Sequence, residues 1–193
     1  MTKKFSRFGL VAGIVLVVFA LTLLVLNRVA IPKNKANAAA ITDDLLNLMP
    51  EVKNGFPDSK GDTTMPCIEL DGVDFNGIIE IPTFDVCLPV ANKWNSGNVN
   101  KYPHRFSGSV YDRSLILGGS DNNGKFDFMK NISNGDFVFF TDTLGVRYSY
   151  VVDNIIMTDD VSFEGLSGGE WDLTFFARNS YGFDYTVVKC KLK

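Results

Sequence analysis

Histidine and cysteine are the scarce residues of this 193-residue chain: there is one histidine, His104, and three cysteines, Cys67, Cys87 and Cys190. One imidazole excludes a multi-histidine metal centre, and no C-x-x-C pair or His/Cys cluster offers the spacing of a zinc site. No metal or other cofactor is therefore expected. Three thiols allow at most one disulfide, too few for a disulfide framework. Cys67 and Cys87 lie in apolar, strand-like surroundings and read as small core residues. Excess positive charge is also lacking, with 19 basic residues against 22 acidic ones, so nucleic acid is not an expected partner. There is no internal repeat and no low-complexity segment.

Charge is missing altogether from Phe8 to Leu26 (FGLVAGIVLVVFALTLLVL). At about 1.5 Å per helical residue this run approaches the ~30 Å of a hydrocarbon core, which predicts a transmembrane helix. Lys3, Lys4 and Arg7 precede it and every acid follows it, so the positive-inside rule places residues 1–7 in the cytoplasm and the rest outside the cell membrane. A cleavable signal peptide is the alternative, because "ANAAA" at Ala36 to Ala40 contains an A-x-A pattern, but the apolar run is longer than a signal's core. Gly9 and Gly13 form a G-x-x-x-G pair that can pack two membrane helices.

Beyond the span, residues 27–64 read as an irregular stalk, a short helix and a loop. The helix, Ile41 to Met49, puts Ile41, Leu45, Leu46 and Met49 on one face, with Asp43 and Asp44 near its positive end. From Met65 to the carboxyl terminus the pattern changes to short apolar runs cut by turn residues: Ile78 to Ile81, Val86 to Val90, Ser114 to Leu117, Phe137 to Phe140, Arg147 to Val152, Leu173 to Phe176 and Thr186 to Lys191. Branched and aromatic residues dominate them, which predicts a mostly β domain, a closed barrel or sandwich. "LTFF" is apolar throughout and reads as a central strand. Phe126, Met129 and Ile132 mark one short helical piece.

Four stretches together resemble the sortases: "GIIEIPTFDVCLPV" (Gly77 to Val90), "YPHRFSGSVY" (Tyr102 to Tyr111), "SLILGGSDNNGKFDFMKNISNGDFVFFTD" (Ser114 to Asp142) and "GGEWDLTFFARNSYG" (Gly168 to Gly182). The resemblance covers 65–193 and implies an eight-stranded β-barrel of the membrane-anchored cysteine transpeptidases of Gram-positive bacteria. In that family a cysteine attacks the Thr–Gly carbonyl of an LPxTG-type signal, a histidine handles the leaving-group proton and an arginine stabilises the oxyanion.

Here the resemblance puts Ser120 at the histidine position, with Gly119 the result of a one-residue slip, Arg178 at the cysteine position and Tyr185 at the arginine position. All three catalytic groups are replaced. A guanidinium stays protonated and cannot be a nucleophile, and a serine hydroxyl needs a positioned base. The resemblance thus implies a catalytically degenerate member that binds a sorting-signal peptide, a pilin or another surface protein, or works beside an active sortase. The groove residues are Arg178, Ser120 and Tyr185, with Arg105 either lining the groove or lying at the surface; the alternative for Arg178 is that it folds out to solvent or pairs with Asp184, Asp121 or Asp172. The alternative is catalysis by residues foreign to the family, Ser120 or Cys190 paired with His104. Related chains often carry cysteines at both the His104 and Cys190 positions, which implies that the two segments are neighbours.

Overall fold

The computed structural model describes the backbone of residues 2–56, 64–120, 126–159, 161–167, 170–179 and 184–193, and, within the long amino-terminal helix, the side chains of 12–23 and of 37 onward. The chain forms two compact units, residues 1–36 and 37–193.

Helix α1 is continuous over Thr2–Leu48, including residues 27–37, where an irregular stalk was expected. Alanine and lysine, both good helix formers, are frequent there and carry the helix past Pro32. Among the described residues no helix is long and apolar enough to cross a membrane. The predicted span lies partly outside them, since only 12–23 of its side chains are described, and Gly9 and Asp121 also fall outside. The last turns of α1 bury Ala38, Thr42, Leu45 and Met49. That is the i, i+4, i+7, i+11 stripe of an amphipathic helix. Leu46, expected on this face, is 46% exposed, whereas Thr42 is buried and donates its hydroxyl to the Ala38 carbonyl. The stripe starts one turn earlier than the local pattern suggested, so its phase differs.

Eight strands close a barrel. They are β3 (Val73–Ile81), β4 (Val86–Ala91), β5 (His104–Ser107), β6 (Leu115–Ser120), β7 (Phe137–Asp142), β8 (Val146–Thr158), β9 (Leu173–Arg178) and β10 (Tyr185–Leu192). The order around the ring is β3-β4-β5-β6-β9-β10-β8-β7 and back to β3. Two short strands, β1 (Lys53–Asn54) and β2 (Ile68–Leu70), extend it outside β8 and β3. All seven predicted strands are present, and β9 is central, as "LTFF" suggested. Strand β5 was not predicted.

Alternation along each strand separates the two faces. Inward residues such as Ile79, Ile81, Leu117, Phe140, Tyr150, Phe175 and Cys190 fill the interior, where the short helical turn at Asp127–Lys130 adds Phe126, Met129 and Ile132. Outward residues of β3, with Ala91 and Tyr102, pack under Leu45 and Met49. A third cluster, Ile116, Leu166, Phe176 and Val187, lies outside β6, β9 and β10. Gly77 lets β3 pass close to β7, since a Cβ there would stand 2.1 Å from the Thr141 carbonyl oxygen.

The same parity corrects the reading of two cysteines. Cys87 is exposed on the outer face of β4, opposite Glu80 of β3, and Cys67 is exposed just before β2. Only Cys190 is a core thiol. All three are free.

Candidate functional site: an open cleft at the ends of β6 and β9

Ser120, Arg178 and Tyr185 share one cross-strand row. Ser120 is the register partner of Arg178 across the parallel pair β6 and β9, and Arg178 is the partner of Tyr185 across the antiparallel pair β9 and β10. Alternation sends their side chains to the outer face, while Gly119 and Ala177, the preceding register pair of β6 and β9, turn inward. A Cβ on Gly119 would collide with the Phe126 ring in the interior. Ser120 is therefore the outward residue of the two that the resemblance left open.

The three residues line a cleft of about 520 Å³ together with Trp94, Ser96, Val99, Asn100, Phe106, Gly119, Val161 and Phe176. Its floor is the third apolar cluster. Phe176 meets Phe106 edge-on at 5.3 Å between centroids, Tyr185 at 6.3 Å and Trp94 at 5.5 Å. Gly118 makes this floor possible, because a Cβ there would stand 2.4 Å from the Trp94 ring and 2.5 Å from that of Phe176. The loop bearing Trp94 is held over the end of β6 by the Ser120 amide, which donates to the Val99 carbonyl at 3.1 Å. On the far side, Asn179 N–H donates to the Asp184 carbonyl and Thr186 Oγ1 to Asn179 Oδ1, which closes the β9–β10 connection.

Arg178 is exposed, and among the described residues its guanidinium makes no ion pair or side-chain hydrogen bond. Asp172, one partner considered from the sequence, instead accepts from the Leu192 amide and lies 3.9 Å from Arg113. No cysteine, histidine or acid stands among the described residues lining the cleft.

Arg105 is not in the cleft. Its Nε donates to the Asn92 carbonyl at 3.1 Å and its Nη1 to the Gly108 carbonyl at 2.8 Å, so it clamps two loops beside β5. His104 is buried in a neighbouring cavity with Tyr102 and Lys93. Its Nδ1–H donates to the Lys93 carbonyl at 2.7 Å, and burial holds its pKa below the ordinary range. Trp94 lines both cavities, and its ring stands edge-on to His104. Ser120 and His104 thus lie in separate cavities.

Cys190 faces the interior, fully buried, five positions along β10 from Tyr185 or about 17 Å at strand spacing. Desolvation raises its pKa well above the ordinary value. Strands β9 and β6 separate β10 from β5, so the segments of Cys190 and His104 are not neighbours and the relocated Cys–His pair does not form. Trp94 escaped sequence reasoning. Its only signal was an isolated aromatic in a polar loop.

No family model matches the chain, and no curated protein matches it in sequence. Solved structures do match in fold. Sortase A from Corynebacterium diphtheriae superposes with a TM-score of 0.56 at 18% identity, over 63% of this chain and 61% of that one. A Clostridium perfringens sortase C solved with the C-terminal cell wall sorting motif gives 0.54 at 17% identity, over 85% and 89%. Sortase C1 of Streptococcus agalactiae gives 0.54 at 20% identity, over 65% and 70%. The chain has the sortase fold, as its four sequence stretches implied.

Proposed function

We propose that this protein is a non-catalytic sortase-fold receptor that holds a sorting-type peptide of a pilin or another surface protein, on the outer face of a Gram-positive cell membrane. The observation that carries this reading is the row Ser120–Arg178–Tyr185. It lines an open cleft with an aromatic floor and offers hydrogen-bond donors but, among the described residues, neither thiol nor imidazole. Arg178 cannot attack a carbonyl, but it can donate several hydrogen bonds to one without losing a proton. The sortase C solved with a sorting motif supports the ligand class.

The amino-terminal helix is the anchor in this reading. The uncharged run Phe8–Leu26 supports it, and so do the exposed apolar side chains from Ile14 to Leu23. Recovery of the protein in the membrane fraction, with protease shaving of intact cells removing residues 37–193, is the expected outcome. Recovery in the cytosol would overturn the location.

The peptide reading is tested with the full-length protein and acetyl-Leu-Pro-Ala-Thr-Gly-amide. Calorimetry should show saturable binding, and mass spectrometry should show no cleavage or transfer between pH 5 and 9. Turnover that survives Ser120→Ala and disappears in Cys190→Ala would establish a buried-thiol enzyme instead. Absence of binding would remove the receptor role.

A further inference from the structure

We infer that the cleft selects a peptide that ends in a free carboxylate, with Arg178 as the residue that recognises the charge; this rests on the peptide-binding reading above. The chain carries more acids than bases, yet the described lining of the cleft holds one cation, Arg178, and no acid. A guanidinium on an acid-rich protein ordinarily pairs with a carboxylate, and among the described residues none lies within 4 Å of this one. Among the described residues its charge is open to a ligand.

The surrounding groups narrow the ligand to a carboxylate. Arg178 is flanked in the same row by the hydroxyls of Ser120 and Tyr185. A planar carboxylate offers about four lone-pair sites, two for the guanidinium fork and the others for a neutral donor such as the Tyr185 hydroxyl. An internal amide carbonyl would satisfy the Tyr185 hydroxyl and leave Arg178 without a counter-charge.

Placement of the aromatic floor favours the chain terminus over an acidic side chain. Phe176 stands two residues before Arg178 on the same face of β9, about 7 Å away at strand spacing. Trp94 and Phe106 complete the apolar surface around it. The terminal residue of a peptide carries its carboxylate and its side chain on one carbon, so the first can meet Arg178 while the second rests on Phe176. An aspartate side chain in mid-chain would send the peptide backbone, with its unsatisfied amides, across that floor.

Calorimetry with the full-length protein compares acetyl-Leu-Pro-Ala-Thr bearing a free carboxylate, its C-terminal amide, and acetyl-Leu-Pro-Ala-Asp-amide. The free acid should bind at least about tenfold more tightly than the amide, the scale of one hydrogen-bonded charge. Arg178→Gln should bring the free acid down to the affinity of the amide, and Arg178→Lys should restore part of the preference. Equal affinity of acid and amide, with binding present, overturns the carboxylate and leaves the peptide reading standing. Aspartyl amide binding as tightly as the free acid overturns the terminal assignment. Failure of all three peptides, and of acetyl-Leu-Pro-Ala-Thr-Gly-amide, overturns both readings together.

Discussion

Ser120 and Arg178 are the last register partners of the parallel pair β6 and β9, and both strands end at them. Strand ends are where a barrel frees side chains from its packing. Arg178 projects from such an end without an internal partner among the described residues, so the fold does not depend on it. Arg178→Ala should change the unfolding free energy by no more than about 0.5 kcal/mol, as for surface substitutions away from special features. Arg105→Ala should cost about 1.5–3 kcal/mol, because it removes two charge-assisted hydrogen bonds to loop carbonyls. Urea unfolding of the two variants side by side reads the difference. A large loss in Arg178→Ala would make that arginine a structural element.

Much of this was legible in the sequence, and the gaps have physical causes. The "LILGGS" and "LTFFAR" stretches announce β6 and β9, and the resemblance to the sortases, which puts Ser120 and Arg178 at two positions of one site, implies that they lie together. Strand β5 was hidden because "HRFS" is too short to show alternation, and its link to β4 is the single pair Ala91 and His104. Cys87 looked like a core residue because Val86 and Leu88 flank it, but on a strand such neighbours put it on the opposite face. Trp94 owes its place to a loop folding back over Gly118, and no local pattern records that.

The thiols should react in the order their exposure dictates. Cys67 and Cys87 are exposed and Cys190 is not, so two thiols of the native protein should react with a disulfide reagent and the third only on unfolding. Cys87 will be slow at neutral pH, because desolvation and Glu80 push its pKa up to about 11 and little thiolate is present. Its rate should keep rising beyond pH 9. Three equivalents reacting at once in the native state would contradict the burial of Cys190.

Asp142 is a buried carboxylate that four donors satisfy: the hydroxyls of Tyr111 and Tyr148 at 3.0 and 3.2 Å, and the amides of Leu144 and Val146 at 3.0 and 2.9 Å. It ties β7, β8 and the turn between them to the segment after β5. Asp142→Ala should destabilise the protein by about 3 kcal/mol or more, since each buried donor left unsatisfied costs about 1–3 kcal/mol. Asp142→Asn should cost less than half as much. Its carbonyl can still serve the amides, while the two hydroxyls rotate to accept from its NH₂. Equal losses in the two variants would mean that the negative charge, not the bonding pattern, holds this corner.

Stability should decline in alkali, and the sign follows from the groups that hold their protons more tightly in the folded chain, Cys67, Cys87 and Tyr102 together with Cys190, Tyr111, Tyr148 and Tyr150. Desolvation is the largest cause for Cys190, Tyr111, Tyr148 and Tyr150, and Asp142 adds to it for Tyr111 and Tyr148. Their ordinary values are 9.0 for cysteine and 10.0 for tyrosine. As pH rises past these values the unfolded chain releases its protons first, so the folded chain binds more protons and the unfolding free energy falls. Below pH 9 the contribution is fully present and the profile is flat with respect to these groups. Lys189, whose pKa desolvation lowers from 10.5, titrates in the opposite sense and offsets part of the decline. The urea midpoint should therefore hold steady from about pH 7 to 8.5 and fall above about pH 9, each group contributing up to about 1.4 kcal/mol per pH unit. Tyr111→Phe should make the descent shallower, whatever it does to the neutral plateau, because it deletes one of the titrating groups. A midpoint that stays level to pH 11, or a slope unchanged in Tyr111→Phe, would show that these hydroxyls are not held in the desolvated sites beside Asp142.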